Sequence, residues 1–576
     1  MTNRAIIYIL KIGGYDEMSN IKRLFFYFMS LVTLGIFAGG VGTVLSLCFE
    51  FIRGDTWGSY DRIQLSLGLA MLIAGGVLWF LFWRATQRQV AENPAEIGTE
   101  IRKLYLNIIL GVTAITGLNA AASFIQWLVS GVPLSHFPSV LLAMLIVCGG
   151  IWYYHWRLEE REGQPSPAAK TLRRWYVYVL SVFGLVSLTV GLILFINNAI
   201  LSLPVWGREM VSVEFWNSDT RLYLSWTLIG GLAWWFHWFR MAKGDYESTL
   251  RQVYLYLLAI GGGVVTCLVA LTTFLYEIFR FTFGVSVAAD IHFTFLGWTV
   301  PTIIIAAAIW FYHRKVVQEE AARLPEQRLS ARRVYLYLMS FIGLGTLIGG
   351  LAVLLGILVD LIIQAAGATD RVSAGWWHSD LSLCLALLLV GVPIFLYYWR
   401  RVLKMTAEGG TEERAATSRR IYLYTVLGIA ILTLATDLVM IVYELISGLL
   451  QGMTGASFLE SLRWSLQTLL IPVPLLLYHR RILRQDQSLG AEKVSVRKTV
   501  SLLAGEVAAE LVPALEERLG YRIRLLRHVS EIPEDISTLS EEGIEALVEE
   551  IQAAPSSKVV LIITGGRVTV LPYQEK

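Results

Sequence analysis

The stretch RRVYLYL occupies positions 332–338. Close variants stand at 419–424 (RRIYLY), 251–257 (RQVYLYL) and 173–178 (RRWYVY), each just ahead of a long apolar run. Aligned on its aromatic residue, the motif recurs at Phe25, Tyr105, Tyr176, Tyr254, Tyr335 and Tyr422. Three residues upstream there is always a base: Lys22, Arg102, Arg173, Arg251, Arg332 and Arg419. About 25 apolar residues follow each motif, enough to cross a bilayer with some tilt.

Each unit holds a second apolar run with its own ending: FLFWR, YYHWR, FHWFR, WFYHR, LYYWR and LLYHR. These endings close on Arg84, Arg157, Arg240, Arg314, Arg400 and Arg480. A unit therefore reads base, aromatic, span, turn, span, aromatic, base. That is a helical hairpin with both open ends on one side, and a repeat of this kind governs the whole fold reading. The expected fold is an all-α polytopic membrane protein of twelve transmembrane helices in six hairpins. The hairpins cover residues 18–100, 101–170, 171–248, 249–329, 330–416 and 417–484. Residues 1–17 fit no repeat and read as an N-terminal extension.

Composition agrees. Of 576 residues, 55% are hydrophobic and only 16% charged, with mean hydropathy +0.57. Soluble core helices rarely stay apolar on every face for so long. The net charge of +3 says little taken over the whole chain and its distribution says more; no nucleic-acid partner is expected. The open side of the hairpins, through Arg484, carries 31 Lys and Arg, against 7 in the turns. The positive-inside rule then places both termini in the cytoplasm of a bacterial cell, with the chain in its inner membrane. The motif arginines are expected among the lipid headgroups, with Tyr105, Tyr176, Tyr254, Tyr335 and Tyr422 at the membrane boundary. Membrane lipids are thus the first expected partner, and specific binding of an anionic lipid is the alternative reading of the motif.

Beyond Arg484 the composition becomes mixed and charged. Residues 485–576 read as a small cytosolic α/β domain in the order β-α-β-α-β-β. Its strands are KTVSLLAG (498–505), YRIRLLRHV (521–529) and the paired halves of KVVLIITGGRVTVLPY (558–573), turning at Gly565-Gly566. Helices are expected over Glu506–Leu519, with Pro513 inside, and after a capping box at Thr538–Glu541. A cytosolic protein partner would dock here.

Catalytic signatures are absent. There is no P-loop, HExxH, G-x-S-x-G or CxxC, so no catalytic residue, metal ligand or cofactor is expected. His155, His237, His313 and His479 share their columns with Trp and Tyr of sister repeats, which reads as an interfacial aromatic slot rather than a haem or metal site. Cys48, Cys148, Cys267 and Cys384 read as small hydrophobes. Polar residues at membrane depth are costly and often functional. The candidates are Asp437, Asn119 and Gln467, with helix–helix hydrogen bonding as the structural alternative. Glu50, Glu277, Asp360 and Glu444 fall near the outer ends of their spans. Glycines or prolines mark the middle of every second span, and their recurrence favours close packing over a substrate site.

The six RRxYLY hairpins resemble an uncharacterised bacterial multi-pass membrane domain family, domain of unknown function 5671, over residues 20–484. KRLFFY and RKLYLN in the first two repeats depart from the motif. The resemblance implies about three tandem copies of two hairpins each, and no activity. The expected function is a non-enzymatic scaffold or signalling protein. A transporter or channel is the alternative, followed by an intramembrane enzyme.

Overall fold

A computed structural model of the protein describes residues 20–206, 214–246, 248–284, 289–321, 325–365, 375, 377–452, 455–491, 499–504, 511–519, 522–527, 541–554, 556, 558–564 and 567–573. The N-terminal extension, the Thr538 capping box and the Gly565-Gly566 turn lie outside them. The chain divides into two compact units. One is Met1–Lys404 with Ala430–Val473, and the other is Met405–Ile429 with Pro474–Lys576.

Helices form within each of the repeated sequence units. Hairpin 1 is α1 (Asn20–Arg53) and α2 (Ser59–Glu92). Hairpin 2 is α3 (Glu100–Leu128) and α4 (Ser139–Glu162). Hairpin 3 is α5 (Pro167–Leu201) and α6 (Ser218–Trp234), which continues as a π-helical turn over Trp235–Met241. Hairpin 4 is α7 (Thr249–Thr282), widened to a π-helix over Val253–Gly261, and α8 (Leu296–Ala321). Hairpin 5 is α9 (Pro325–Ala365) and α10 (Trp377–Glu408). Hairpin 6 is α11 (Thr417–Gln451), then α12 (Arg463–Leu469) and α13 (Pro472–Ala491).

Among the described residues, ten helices are long and apolar enough to cross a membrane. The two expected spans missing from that set belong to hairpins 3 and 6. In hairpin 3 the α-helix gives way to π geometry after 17 residues. In hairpin 6 the helix stops at Leu469 and restarts at Pro472, because proline supplies no amide to continue the ladder. Large apolar side chains such as Ile73, Val112, Ile304 and Leu432 point outward along the helices. Water would not tolerate so continuous an apolar surface, whereas lipid does.

Inside the hairpins, the glycines do two different things. In hairpins 1, 3 and 5 they bring backbones together. A methyl on Gly75 would lie 2.7 Å from the Phe37 amide, and one on Gly391 2.6 Å from that of Leu347. Gly184 and Gly230 likewise meet the backbones of Trp234 and Leu188. In hairpin 2, Gly149 and Gly150 face open space. Hairpin 4 has Pro301 inside a continuous helix, and hairpin 6 has its break. The packing explanation therefore holds for the odd hairpins only.

In the C-terminal domain the four-stranded sheet has the order β2 (Arg524–Arg527), β1 (Thr499–Ala504), β3 (Lys558–Thr564), β4 (Arg567–Pro572). β1 pairs in parallel with β2 and β3, and β3 pairs antiparallel with β4. Period-two alternation puts Val500, Leu502, Val559, Leu561, Ile563 and Val570 into one core. Leu511, Leu515 and Leu519 of α14 (Leu511–Leu519) and Leu547 and Ile551 of α15 (Glu541–Ala553) cover that face. The described part of α14 runs over Leu511–Leu519 and contains Pro513.

Candidate functional site at the open ends of the hairpins

The first base of the motif turns inward. Arg102 and Lys103 are fully buried. Arg102 Nε donates to Glu162 at 3.0 Å, and its Nη1 donates to the Tyr27 hydroxyl at 3.0 Å. Lys103 Nζ lies 2.9 Å from Glu159 and donates to the Gly163 carbonyl at 2.8 Å. Arg251 forks onto Glu320 at 2.6 and 3.0 Å, with its guanidinium 4.5 Å from the centre of the Trp238 ring. Arg419 pairs with Asp486 at 2.6 Å and donates to Thr406 at 2.9 Å.

Each pair joins the start of a hairpin's first helix to the end of its second. The expectation that these arginines face headgroups is corrected for Arg102, Arg251 and Arg419. Desolvated guanidinium is stable here because a carboxylate meets it in bidentate or networked geometry.

Hairpins 1 and 3 make the same closure with the second base of the motif. Arg23 Nε donates to Glu96 at 2.9 Å, and Arg174 to Asp245 at 2.6 Å, which also accepts from Tyr178 at 2.9 Å. Arg173 is left leaning over Tyr176 at 5.3 Å, and Arg332 is exposed. The closing arginines behave oppositely. Arg84, Arg157, Arg240, Arg314, Arg400 and Arg480 are all exposed, as residues reaching toward headgroups would be.

The motif tyrosines are not boundary rings either. Tyr105, Tyr176, Tyr254 and Tyr422 are buried, and each faces the histidine of its own hairpin's second span. Ring centres are 5.5 Å apart for Tyr176 and His237, and 5.7 Å for Tyr254 and His313. They are 6.0 Å apart for Tyr105 and His155, and for Tyr422 and His479. In hairpin 5, Tyr335 instead meets Tyr398 through hydroxyls 2.9 Å apart.

Each of the four histidines sets Nδ1 2.8–2.9 Å from the carbonyl four residues back: Ile151, Ala233, Ile309 and Leu475. A carbonyl only accepts, so Nδ1 carries the hydrogen; in the neutral ring Nε2 is then an acceptor, and at His237 and His313 it meets the tyrosine hydroxyl. The slot predicted to be interfacial is an internal polar one.

A third member comes from the preceding hairpin. Trp152 Nε1 donates to Tyr176 at 3.0 Å, and Trp234 Nε1 donates to Tyr254 at 2.9 Å. The tyrosines complete the chain to His237 at 3.2 Å and His313 at 3.3 Å. His237 and Tyr254 sit on the π-helical turns, a feature common where side chains must be re-aimed. The corresponding set Trp79, Tyr105 and His155 stays open, with all three polar atoms buried and unbonded. Trp79 and Trp152 fall five residues before their closing arginines, and Trp234 falls six before Arg240, a spacing the sequence reading did not use.

The intramembrane candidates separate. Asn119 is exposed and bonds its own helix through the Ile115 carbonyl at 2.8 Å. Gln467 is buried, donates to the Ala352 carbonyl at 2.8 Å and packs on Gly356. One helical turn earlier, Arg463 pairs with Asp360, so α12 is fixed to α9. Asp437 is buried and lies 2.6 Å from the Thr468 hydroxyl, which also lies 2.8 Å from the Trp464 carbonyl. One hydroxyl proton cannot serve both contacts. The other Asp437 oxygen is buried without a partner. Asp437 and Gln467 thus flank the α12 helix and its break, while Asn119 belongs elsewhere.

A family profile described as Domain of unknown function (DUF5671) matches residues 23–134, 139–205, 199–301 and 333–458. These are four tandem segments of a repeated domain. No curated protein and no solved structure matches the chain.

Proposed function

Because the chain belongs to the DUF5671 family, whose description names no activity, we propose from the geometry that it is a non-enzymatic membrane scaffold whose C-terminal domain docks a cytosolic protein. Hairpins 3 and 6 complete twelve spans across the bacterial inner membrane, with both termini cytoplasmic. The observation that carries this reading is the consumption of polar groups by structure. Arginine–carboxylate pairs close hairpins 1, 2, 3, 4 and 6, and Trp–Tyr–His chains join hairpin 2 to 3 and hairpin 3 to 4. Attached to this array is an α/β domain with its own core.

The test is enrichment from cross-linked membranes. The full chain should retain a cytosolic partner that a chain ending at Arg484 loses, and Asp437→Asn should leave the enrichment intact. Equal enrichment by both chains would refute the docking role. Transport is the second reading, favoured by the unpartnered Asp437 oxygen beside a broken helix. A cellular phenotype lost in Asp437→Asn at normal protein level would place it first.

A further inference from the structure

A cleft of about 470 Å3 opens between hairpins 1 and 2. Its inner end is apolar and small, formed by Ala38 and Gly42 of α1 with Val147 and Cys148 of α4. At its turn-side end stand Glu50, Tyr60, Asp61 and Gln64. Ala38 and Glu50 both line it and stand twelve residues apart on α1, so the cleft runs about 18 Å along the span. A methyl on Gly42 would meet nothing within 4 Å, so the inner end has room.

Of the four carboxylates at this depth, Glu277 and Asp360 are paired, whereas Glu50 and Glu444 make no ion pair among the described residues. Glu277 stands at the same depth in hairpin 4 and is paired with Arg280 at 3.0 Å. Asp360 of hairpin 5 is paired with Arg463. The base one turn from Glu50, Arg53, is committed to Asp55 and to the Phe137 carbonyl at 3.1 Å. Asp61 accepts only the Gly58 amide, at 2.8 Å. A second cleft, of about 230 Å3 between hairpins 4 and 5, is lined by aliphatic residues and threonines and carries no carboxylate. Carboxylates are therefore not a general feature of gaps between these hairpins.

We propose that the cleft between hairpins 1 and 2 binds an amphiphilic cation, an apolar chain bearing an ammonium group. The chain fills the inner end toward Cys148, and the ammonium replaces the arginine that Glu277 and Asp360 possess. Glu50 and Asp61 take its charge, while Tyr60 and Gln64 offer hydrogen bonds. Glu50 and Asp61 line the mouth together, so a cation seated there meets two carboxylates at once. Two sources supply this chemistry: a phosphatidylethanolamine of the bilayer, or a free long-chain amine.

Cys148 is half-buried, lines the cleft and reports occupancy. The full chain with Cys48→Ser, Cys267→Ser and Cys384→Ser is placed in phosphatidylglycerol nanodiscs, and alkylation of Cys148 by N-ethylmaleimide is timed. Dodecyltrimethylammonium at about ten times its dissociation constant should slow alkylation about tenfold, the unoccupied fraction that mass action leaves. Dodecanol should give no protection. Glu50→Gln, alone and with Asp61→Asn, should abolish protection while leaving the probe-free rate unchanged, which shows that the cleft persists. Replacing part of the phosphatidylglycerol with phosphatidylethanolamine assigns the lipid as source if Cys148 is protected without probe, and the free amine if it is not. Protection by dodecanol, or protection surviving Glu50→Gln with Asp61→Asn, would overturn the proposal.

Discussion

The odd and even hairpins share a sequence plan and differ in how they are held. Hairpins 1, 3 and 5 pack through glycine seams, with backbone against backbone at Gly75, Gly230 and Gly391. Hairpins 2, 4 and 6 lack that seam. They are tied instead by the more deeply buried clamps, with Arg102, Arg251 and Arg419 supplied by the first motif base. In hairpins 1 and 3 the clamp moves to the second base, whose arginine is more exposed, 17% for Arg23 and 34% for Arg174 against 7% or less for the first-base arginines. The seam alternates through the described hairpins, and the base that supplies the clamp alternates from hairpin 1 to hairpin 4.

The sharpest way to break this comparison is to remove a clamp of each kind. Arg251→Ala strands Glu320 in a covered site and should cost about 3–5 kcal/mol. Arg174→Ala should cost about 1 kcal/mol or less, because the pair is partly solvated. Unfolding followed by loss of helicity in detergent would measure both, and equal losses would erase the distinction between the two clamp types.

Next in size is the seam. Gly230→Ala drives a methyl into the Leu188 backbone and should destabilise by about 2 kcal/mol, within the range for overpacking. Gly150→Ala meets nothing and should stay within about 0.5 kcal/mol of the parent. Melting temperatures of the two variants test this directly. A costly Gly150→Ala would show that hairpin 2 has a packing partner on that side.

The smallest expected difference concerns the polar chains. Tyr176→Phe removes the acceptor of Trp152 and the donor to His237, and should cost about 1–2 kcal/mol. Tyr105→Phe removes a hydroxyl that bonds nothing and should be close to silent. Matching losses in the two variants would mean that Trp79, Tyr105 and His155 close in the membrane as their counterparts do.

Much of this architecture was legible in the sequence. A bilayer span imposes length and apolarity on every residue of a helix, so the apolar helices and their repeat could be read between Phe25 and Arg480. The tail followed from period-two alternation and turn residues, and its β-α-β-α-β-β order stands in the structure. Gln467 and Asp437 were identifiable because any polar group at membrane depth is expensive. Their separation from Asn119 was not, since depth along a helix says nothing of which face meets a neighbour.

The motif arginines and tyrosines show where sequence reading stops. Composition marks RRxY as basic and aromatic at a membrane edge, and both a headgroup anchor and a buried clamp satisfy that description. The choice belongs to partners such as Glu162, Glu320 and Asp486, 60 to 69 residues away. Only packing of one helix end against another decides whether a guanidinium finds phosphate or carboxylate. The same holds for glycine: Gly75 and Gly150 look alike in sequence, and the neighbouring backbone alone makes one indispensable and the other free.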